Sequence, residues 1–267
     1  MAFYGCDFTF NGVSASTMGL MIYNFGTEGQ DDVDLSVGEI AGDQINGRYD
    51  TLLYGLVQNE PLEFTLVFGA DPDDIEAGTF LTRERVNTIT KWLTGYQTWK
   101  VLTIDQPDML PFHYKCMITG LRLITDGSYP WAFSAHVTCD GPFAYRAASV
   151  TTAALSGSES TITIDNTSGL NGYYYPVVTV TGNTGGNLTI VNNTNSGRAC
   201  ILNGMPTGSQ NILMDCRNGV LTSSAGHNLY QYFNFNFLRL VPGINLLTAT
   251  GSGTLSIECE FPVNIGA

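Results

Sequence analysis

Residues 112–139 read FHYKCMITGLRLITDGSYPWAFSAHVTC, and this stretch decides the fold class. Phe112, Tyr114, Cys116 and Ile118 recur at every second position, which gives an extended strand one apolar face. The phase flips after Gly120 to Leu121 and Leu123, which predicts a bulge. Asp126-Gly127 has the chemistry of a hairpin turn. The returning segment puts Tyr129, Trp131, Phe133, Ala135, Val137 and Cys139 on one side, with Ala132, Ser134, His136 and Thr138 on the other. A bulged antiparallel hairpin with one buried face is expected.

Upstream, Leu62, Phe64, Leu66 and Phe68 alternate with Glu63, Thr65 and Val67, predicting a further strand. Between the two, Val86, Ile89, Trp92 and Leu93 form a helical stripe over Thr82 to Thr94. Thr79 or Thr82 can cap its start, and Gly95 sits where a C′ glycine belongs. The stripe reads as core contact, not as a cofactor box. Downstream, Ile162 and Ile164, Val178 and Val180, and Leu188 and Ile190 mark short strands. Ile212 to Cys216, then Asn218-Gly219 and Val220, predicts a hairpin. Phe233, Phe235 and Phe237 alternate with Asn234 and Asn236, and Leu255, Ile257, Cys259 and Phe261 with Ser256, Glu258 and Glu260. Strands at this cadence predict a sandwich or jelly roll. The composition turns Ser- and Gly-rich after Ala147-Ala148-Ser149, so a boundary is expected there. Residues 1–148 form a β domain with one helix and residues 149–267 a β-sandwich, giving a mainly β chain.

The chain has 267 residues, 43% of them hydrophobic and only 13% charged, with 30 Gly, 14 Phe and 13 Tyr. That mix suits strands and tight turns and argues against coiled coils, helix bundles and disorder. Net charge is −13. Residues 1–148 carry 8 basic and 19 acidic groups, and residues 149–267 carry 3 and 5. Such a surface repels phosphate, which predicts no sequence-specific nucleic acid and no anionic membrane as partner. No run of eighteen apolar residues exists, so no membrane insertion is expected. Met1 to Asp7 has no positive n-region and no apolar h-region, which predicts no signal peptide and synthesis in a cytosol.

The six cysteines, Cys6, Cys116, Cys139, Cys200, Cys216 and Cys259, show no C-x-x-C pair and no zinc spacing. Cys116, Cys139 and Cys259 fall in strand patterns and are expected to be buried free thiols. The acidic stretches Glu28 to Asp34 and Asp71 to Glu76 lack the EF-hand order and read as solvated loops. His113, His136 and His227 form no ligand pair, and no G-x-S-x-G, P-loop or H-E-x-x-H motif occurs. No catalytic, cofactor-binding or metal residue is therefore assigned, and no cofactor is expected. A glycosidase-like carboxylate pair has no named candidates. The Asn-x-Ser/Thr triplets at Asn166, Asn187 and Asn192 carry little weight without a secretory signal. Tyr173, Tyr174, Tyr175, Tyr230 and Tyr232 are the candidate glycan or partner contacts, because aromatic faces stack on sugar C–H surfaces; core or interface duty is the alternative for the same residues.

Three segments carry a family resemblance. Phe8-Thr9-Phe10-Asn11-Gly12-Val13-Ser14 followed by Met18-Gly19-Leu20 resembles the opening of the distal tail (Dit) proteins of siphophages. Cys139-Asp140-Gly141-Pro142-Phe143-Ala144-Tyr145 is similar to that family's domain-closing segment. Asp215-Cys216 before a hairpin, then Leu240-Val241-Pro242-Gly243-Ile244-Asn245, resembles its Leu-x-Pro-Gly-x-Asn element. The resemblance implies a ring-forming N-terminal β domain with one helix and a C-terminal galectin-like β-sandwich. It implies a structural virion protein and no enzyme: a homohexameric ring at the distal end of the tail, made in the bacterial host cytoplasm. The ring joins the tail tube protein to the tail-tip hub or tail-associated protein and serves host adsorption, with the tape measure protein and receptor-binding proteins as further partners. A carbohydrate-binding module for host surface glycans is the alternative. The chain has no room for the large sugar-binding insertions of some members. If the first domain lines the ring, its negative charge would repel passing DNA.

Overall fold

The computed structural model describes residues 5, 7–23, 39–57, 60–72, 81–127 and 129–265. Two compact units divide the chain, residues 1–146 with 264–267, and residues 147–263. The acidic stretch from Glu28 to Asp34, most of that from Asp71 to Glu76, and Thr79 and Cys6 lie outside the described residues.

The first unit contains β1 (Asp7–Phe10), β2 (Val13–Ser14), β3 (Leu20–Ile22), β4 (Glu39–Asp43), β5 (Leu52–Val57), β6 (Glu63–Ala70), α1 (Arg83–Leu93), β7 (Lys100–Asp105), β8 (Phe112–Asp126), β9 (Tyr129–Cys139) and β10 (Ala144–Arg146). Its main sheet runs β2-β1-β7-β8-β9-β6-β3, with β10 pairing β8. The expected bulge is present, as the β8–β9 register shifts between Ile118 and Gly120. Phe133, Ala135, Val137 and Cys139 are buried as the alternation requires. Toward the turn the apolar face opens to solvent: Leu123 and Tyr129 are exposed. Alternation there sets which way side chains point and not whether anything covers them.

Helix α1 begins at the N-cap Thr82, whose side chain accepts from the Arg85 amide, and Gly95 follows its C-cap with φ 87°. Ile89, Trp92 and Leu93 are buried as the stripe predicted. The Trp92 ring stacks on Phe8 at 5.8 Å between centroids, meets Phe10 edge-on at 6.4 Å, and Nε1 donates to the Phe10 carbonyl at 3.1 Å. Phe68 joins Phe8 and Phe133, at 5.1 and 5.5 Å. Each such ring removed from water contributes about 1.5–3 kcal/mol.

The opening motif is a tight hairpin. Asn11 and Gly12 both hold positive φ, 51° and 79°, which suits the turn joining β1 to β2. Arg85 Nη2 donates to the Met18 and Gly19 carbonyls, both at 2.8 Å, tying α1 to this segment. The closing motif is held through Asp140: the Tyr145 hydroxyl donates to its Oδ2 at 2.8 Å, and its amide donates to the Lys115 carbonyl at 2.8 Å. Lys115 Nζ lies 4.4 Å from the Tyr145 ring centre.

The second unit contains β11 (Ser149–Ser156), β12 (Ser160–Asn166), β13 (Val177–Asn183), β14 (Gly186–Asn192), β15 (Arg198–Met205), β16 (Gln210–Asp215), β17 (Val220–Ser223), β18 (Gly243–Thr250) and β19 (Ser252–Cys259). A five-stranded sheet, β11-β19-β13-β16-β17, faces a four-stranded one, β12-β18-β14-β15, across a shared aliphatic core. This is the expected sandwich.

Phe233 to Phe237 is not a strand, contrary to expectation. Leu229–Tyr232 form a short 3-10 turn, Phe233 makes only an isolated bridge to Leu202, and Phe235 holds φ 57° with 63% of its surface exposed. Asn234 explains the departure. Its Oδ1 accepts from the Ile201 amide and its Nδ2 donates to the Ala199 carbonyl, so a side chain takes the place of ladder bonds along β15.

The Leu-x-Pro-Gly-x-Asn element closes on a buried amide. Asn245 Oδ1 accepts from the Val241 amide and from Asn192 Nδ2, both at 2.9 Å, while its Nδ2 donates to the Val241 and Gly243 carbonyls, both at 2.8 Å. Gly243 turns at φ 81° to allow it. Asn166 Nδ2 also reaches the Val241 carbonyl, at 3.0 Å. Asn166 and Asn192 are therefore buried structural groups, not glycan acceptors.

Candidate assembly surface

Strands β4 and β5 pair with each other and form a separate two-stranded sheet. The ladder shifts register between Ala41 and Gly42, where a Cβ would meet the Leu52 carbonyl oxygen at 2.8 Å, so the bulge requires glycine. The tip turns through Gly47 at φ 95°, with the Arg48 amide donating to the Ile45 carbonyl. Tyr54 donates to Asp43 Oδ2 at 2.9 Å across the ladder, and Arg48 pairs with Asp50 at 3.4 Å. Ile40, Leu53 and Tyr54 keep 66%, 66% and 64% of their surface exposed, and Ile45 and Tyr49 are exposed too. A lone two-stranded hairpin is marginal in water, and apolar side chains on it favour a covering partner.

The outer face of the five-stranded sheet is a second broad surface. Thr152, Ser256, Thr179, Leu213 and Thr222 align in one cross-strand row. The next row is Val150, Glu258, Val177, Asp215 and Val220. Hydroxyls and short apolar groups dominate, two carboxylates interrupt them, and no cation lies in either row.

The five candidate tyrosines occupy different environments. Tyr173 and Tyr175 are exposed, and the Arg239 guanidinium sits 3.7 Å from the Tyr173 ring centre. Tyr174 packs on Phe261 at 4.8 Å, pairs with Leu240, and its hydroxyl accepts from the Glu260 amide at 2.7 Å. Burial pushes its phenol up to about 12. Tyr230 accepts from the Leu221 amide and donates to the Gly219 carbonyl, and Tyr232 packs against the sandwich core. Tyr173 and Tyr175 thus stay exposed, Tyr173 with Arg239 over its ring, whereas the hydroxyls of Tyr174 and Tyr230 are engaged by backbone.

Cys116, Cys139, Cys200, Cys216 and Cys259 are free and buried, as small hydrophobes. Burial pushes the thiols of Cys116, Cys200, Cys216 and Cys259 up to about 12, and raises Cys139 as well. Among the described residues no three His, Cys, Asp or Glu side chains converge to hold a metal ion. His136 Nε2 lies 3.4 Å from Glu63 Oε2 on an exposed face, and His113 stacks on Tyr145 at 5.9 Å. No helix is long and apolar enough to cross a membrane among the described residues.

A search among curated proteins finds no match. Among solved structures, the Dit (gp 19.1) protein of phage SPP1 superposes with a TM-score of 0.63 at 15% identity, covering 96% of this chain and 98% of that one. That protein is described as a paradigm of the hub adsorption apparatus in Gram-positive infecting phages. A chain of the phage p2 baseplate, in its activated conformation with Sr, matches at TM-score 0.45 and 12% identity over 90% of each chain. The likeness to the SPP1 protein establishes a shared fold, in agreement with the resemblance of the three motifs. Residues 3–141 match the family of phage tail protein N-terminal domains and residues 143–259 that of phage tail C-terminal domains, so this chain belongs to the phage tail proteins.

Proposed function

We propose that the chain is the subunit of a distal-tail ring, six copies of which join the tail tube protein to the tail-tip hub or baseplate and serve as a platform for host adsorption. Its work is architectural, with no bond-making step. Residues 1–148 supply the ring and residues 149–267 a galectin-like sandwich facing neighbouring tip proteins. Both tail-protein domains in order and the Dit fold support this reading. The observation that carries it is the β4–β5 sheet, on which Ile40, Leu53 and Tyr54 stay largely exposed among the described residues. A neighbouring copy is the cover that a closed ring supplies at every subunit, because a head-to-tail interface whose rotation closes is repeated in every copy. The net −11 of residues 1–148 then favours a lumen that repels DNA phosphates.

Light scattering on the purified chain tests the reading. A closed particle near six subunits is expected, and Leu53→Asp combined with Tyr54→Asp reduces it to monomer while the fold persists. A strict monomer, together with a virion tail tip whose density has no place for this chain, overturns it. Host-glycan binding is the second reading. It rests on the exposure of Tyr173 and Tyr175. A glycan array without hits, or Tyr173→Ala leaving cell binding unchanged, removes it.

A further inference from the structure

Cys116 and Cys139 stand directly opposite each other on β8 and β9. Two backbone bonds fix the kind of pair they make. The Cys139 amide donates away from β8, to the Leu62 carbonyl at 2.9 Å, while the next amide, of Asp140, donates to the Lys115 carbonyl at 2.8 Å. Residues 115 and 140 therefore share a ladder bond, and 116 and 139 form a non-hydrogen-bonded pair. In such pairs the Cα atoms approach to about 4.5 Å and the side chains lie closest. That separation falls within the range a disulfide spans without moving backbone, roughly 4.4–6.8 Å. Both side chains point to the same face of the sheet, and both are buried, at 0% and 1% exposure.

None of the other described cysteines faces a cysteine across a ladder, although Cys216 lies near Cys200 and Cys259 in the sandwich core. Cys200 faces Ile190 across β14–β15, Cys259 faces Ser149 across β11–β19, and Cys216 lies beyond the end of β16. Chance placement of free thiols does not require two of them in register at a non-hydrogen-bonded site.

We propose that Cys116 and Cys139 are the two halves of a latent cross-strand disulfide, open in the structure described and closed by a peroxide once the protein leaves a reducing compartment. Virion surfaces are among the oxidising environments in which disulfides persist. One thiolate attacks a peroxide oxygen: an S–O bond forms, the O–O bond breaks, and the departing hydroxide takes up the thiol proton as water. The second thiol attacks the sulfenic sulfur: the S–S bond forms, the S–O bond breaks, and a second water leaves. Two thiols lose two electrons and one peroxide becomes two waters. Burial keeps the thiolate scarce, so closure waits on brief opening of the β8–β9 hairpin. The bond then pins the open end of the β8–β9 ladder, the end farthest from the turn joining the two strands.

The test uses the full-length chain, reduced, desalted and exposed to hydrogen peroxide at neutral pH. Remaining thiols are blocked under denaturing conditions and the chain is digested with trypsin without reductant. Cleavage after Lys115 and Arg122 puts Cys116 and Cys139 on different peptides. The expected product is those two peptides joined, lighter by about 2 Da than their sum and separated by dithiothreitol, with Cys200, Cys216 and Cys259 recovered as blocked thiols. The oxidised chain should melt higher than the reduced one by about 5 °C or more. Recovery of Cys116 and Cys139 as blocked thiols or as sulfinic acids overturns the proposal, as does a bond from either to another cysteine. An oxidised chain that melts below the reduced one overturns it too, since the bond would then be forcing the strands. The peptide map needs no variant, so a destabilised Cys139→Ser chain cannot obscure the answer.

Discussion

The first unit fills its core with rings, and the second fills its core with aliphatic side chains edged by buried amides. Phe8, Phe10, Phe68, Phe133, Tyr114 and Trp92 dominate the first, and Gln106 is its one buried polar side chain among the described residues. The second buries Asn166, Asn183, Asn192, Asn195, Asn245 and Gln210. The difference lies in what each arrangement specifies. Ring burial is strong and weakly directional, so it holds α1 on the sheet through area. Amide networks contribute little net energy when complete and cost heavily when broken, so they fix the path of irregular chain at the end of a sandwich.

Three substitutions at two sites separate these modes. Trp92→Ala removes the ring that contacts Phe8 and Phe10, and should cost about 3–5 kcal/mol in denaturant unfolding. Trp92→Phe keeps most of that area and loses the Nε1 bond to Phe10, so about 1 kcal/mol is expected. Asn245→Ala deletes little volume but strands the Val241 amide and part of the Asn192 amide, and should cost about 3 kcal/mol. Its signature is positional: hydrogen exchange rises in β12, β14 and β18 while the first unit keeps its protection. If Asn245→Ala costs no more than an ordinary surface change, the amide network does not specify the second unit.

Arg85 adds a polar tie to the ring-filled unit. Arg85→Ala breaks two bonds of 2.8 Å to the Met18 and Gly19 carbonyls. About 2 kcal/mol is expected, because bonds to a charged donor exceed neutral ones. Thr82→Ala at the N-cap of the same helix should cost about 1 kcal/mol, read by thermal unfolding.

These sites differ in how visible they are in the sequence. The buried faces of β6, β13 and β19, and those of β8 and β9 away from their turn, follow from alternation, because a period of two has one physical cause. Helix α1 is legible for the same reason, and its cap is local chemistry. The amide network is not legible: Asn166, Asn192 and Asn245 come together only through strand pairing, and in the sequence two of them read as glycosylation triplets. The failed strand at Phe233 to Phe237 shows the limit of periodicity. Alternating Phe and Asn satisfies the pattern, but the Asn234 side chain satisfies β15 more locally than a strand would. The β4–β5 sheet has Gly42, Gly47 and Gly55 and little alternation, so its exposed apolar groups emerge only from the fold. The candidate tyrosines were legible as aromatic clusters, whereas the split between exposed rings and backbone-bound hydroxyls depends on distant partners such as Glu260 and Leu221.

The smallest expected effect tests whether local polar chemistry matters at an exposed turn as it does in the buried network. Slight burial raises the Asp215 carboxyl, but bonds from the Asn218 amide and side chain and from the Arg217 amide outweigh it, and the net shift is downward. A carboxyl depressed in the folded state adds stability above its unfolded value, near 4, and that stability is lost as pH falls through the lower folded value. Solvent screening at this partly exposed turn holds the contribution under about 1 kcal/mol. Asp215→Asn should therefore lower the melting temperature slightly at pH 7, and the gap to the parent chain should close as pH falls through the depressed folded value of the carboxyl. A gap that stays constant from pH 7 to pH 3 would show that the carboxylate charge plays no part and that Asp215 acts at the β16–β17 turn only through its shape.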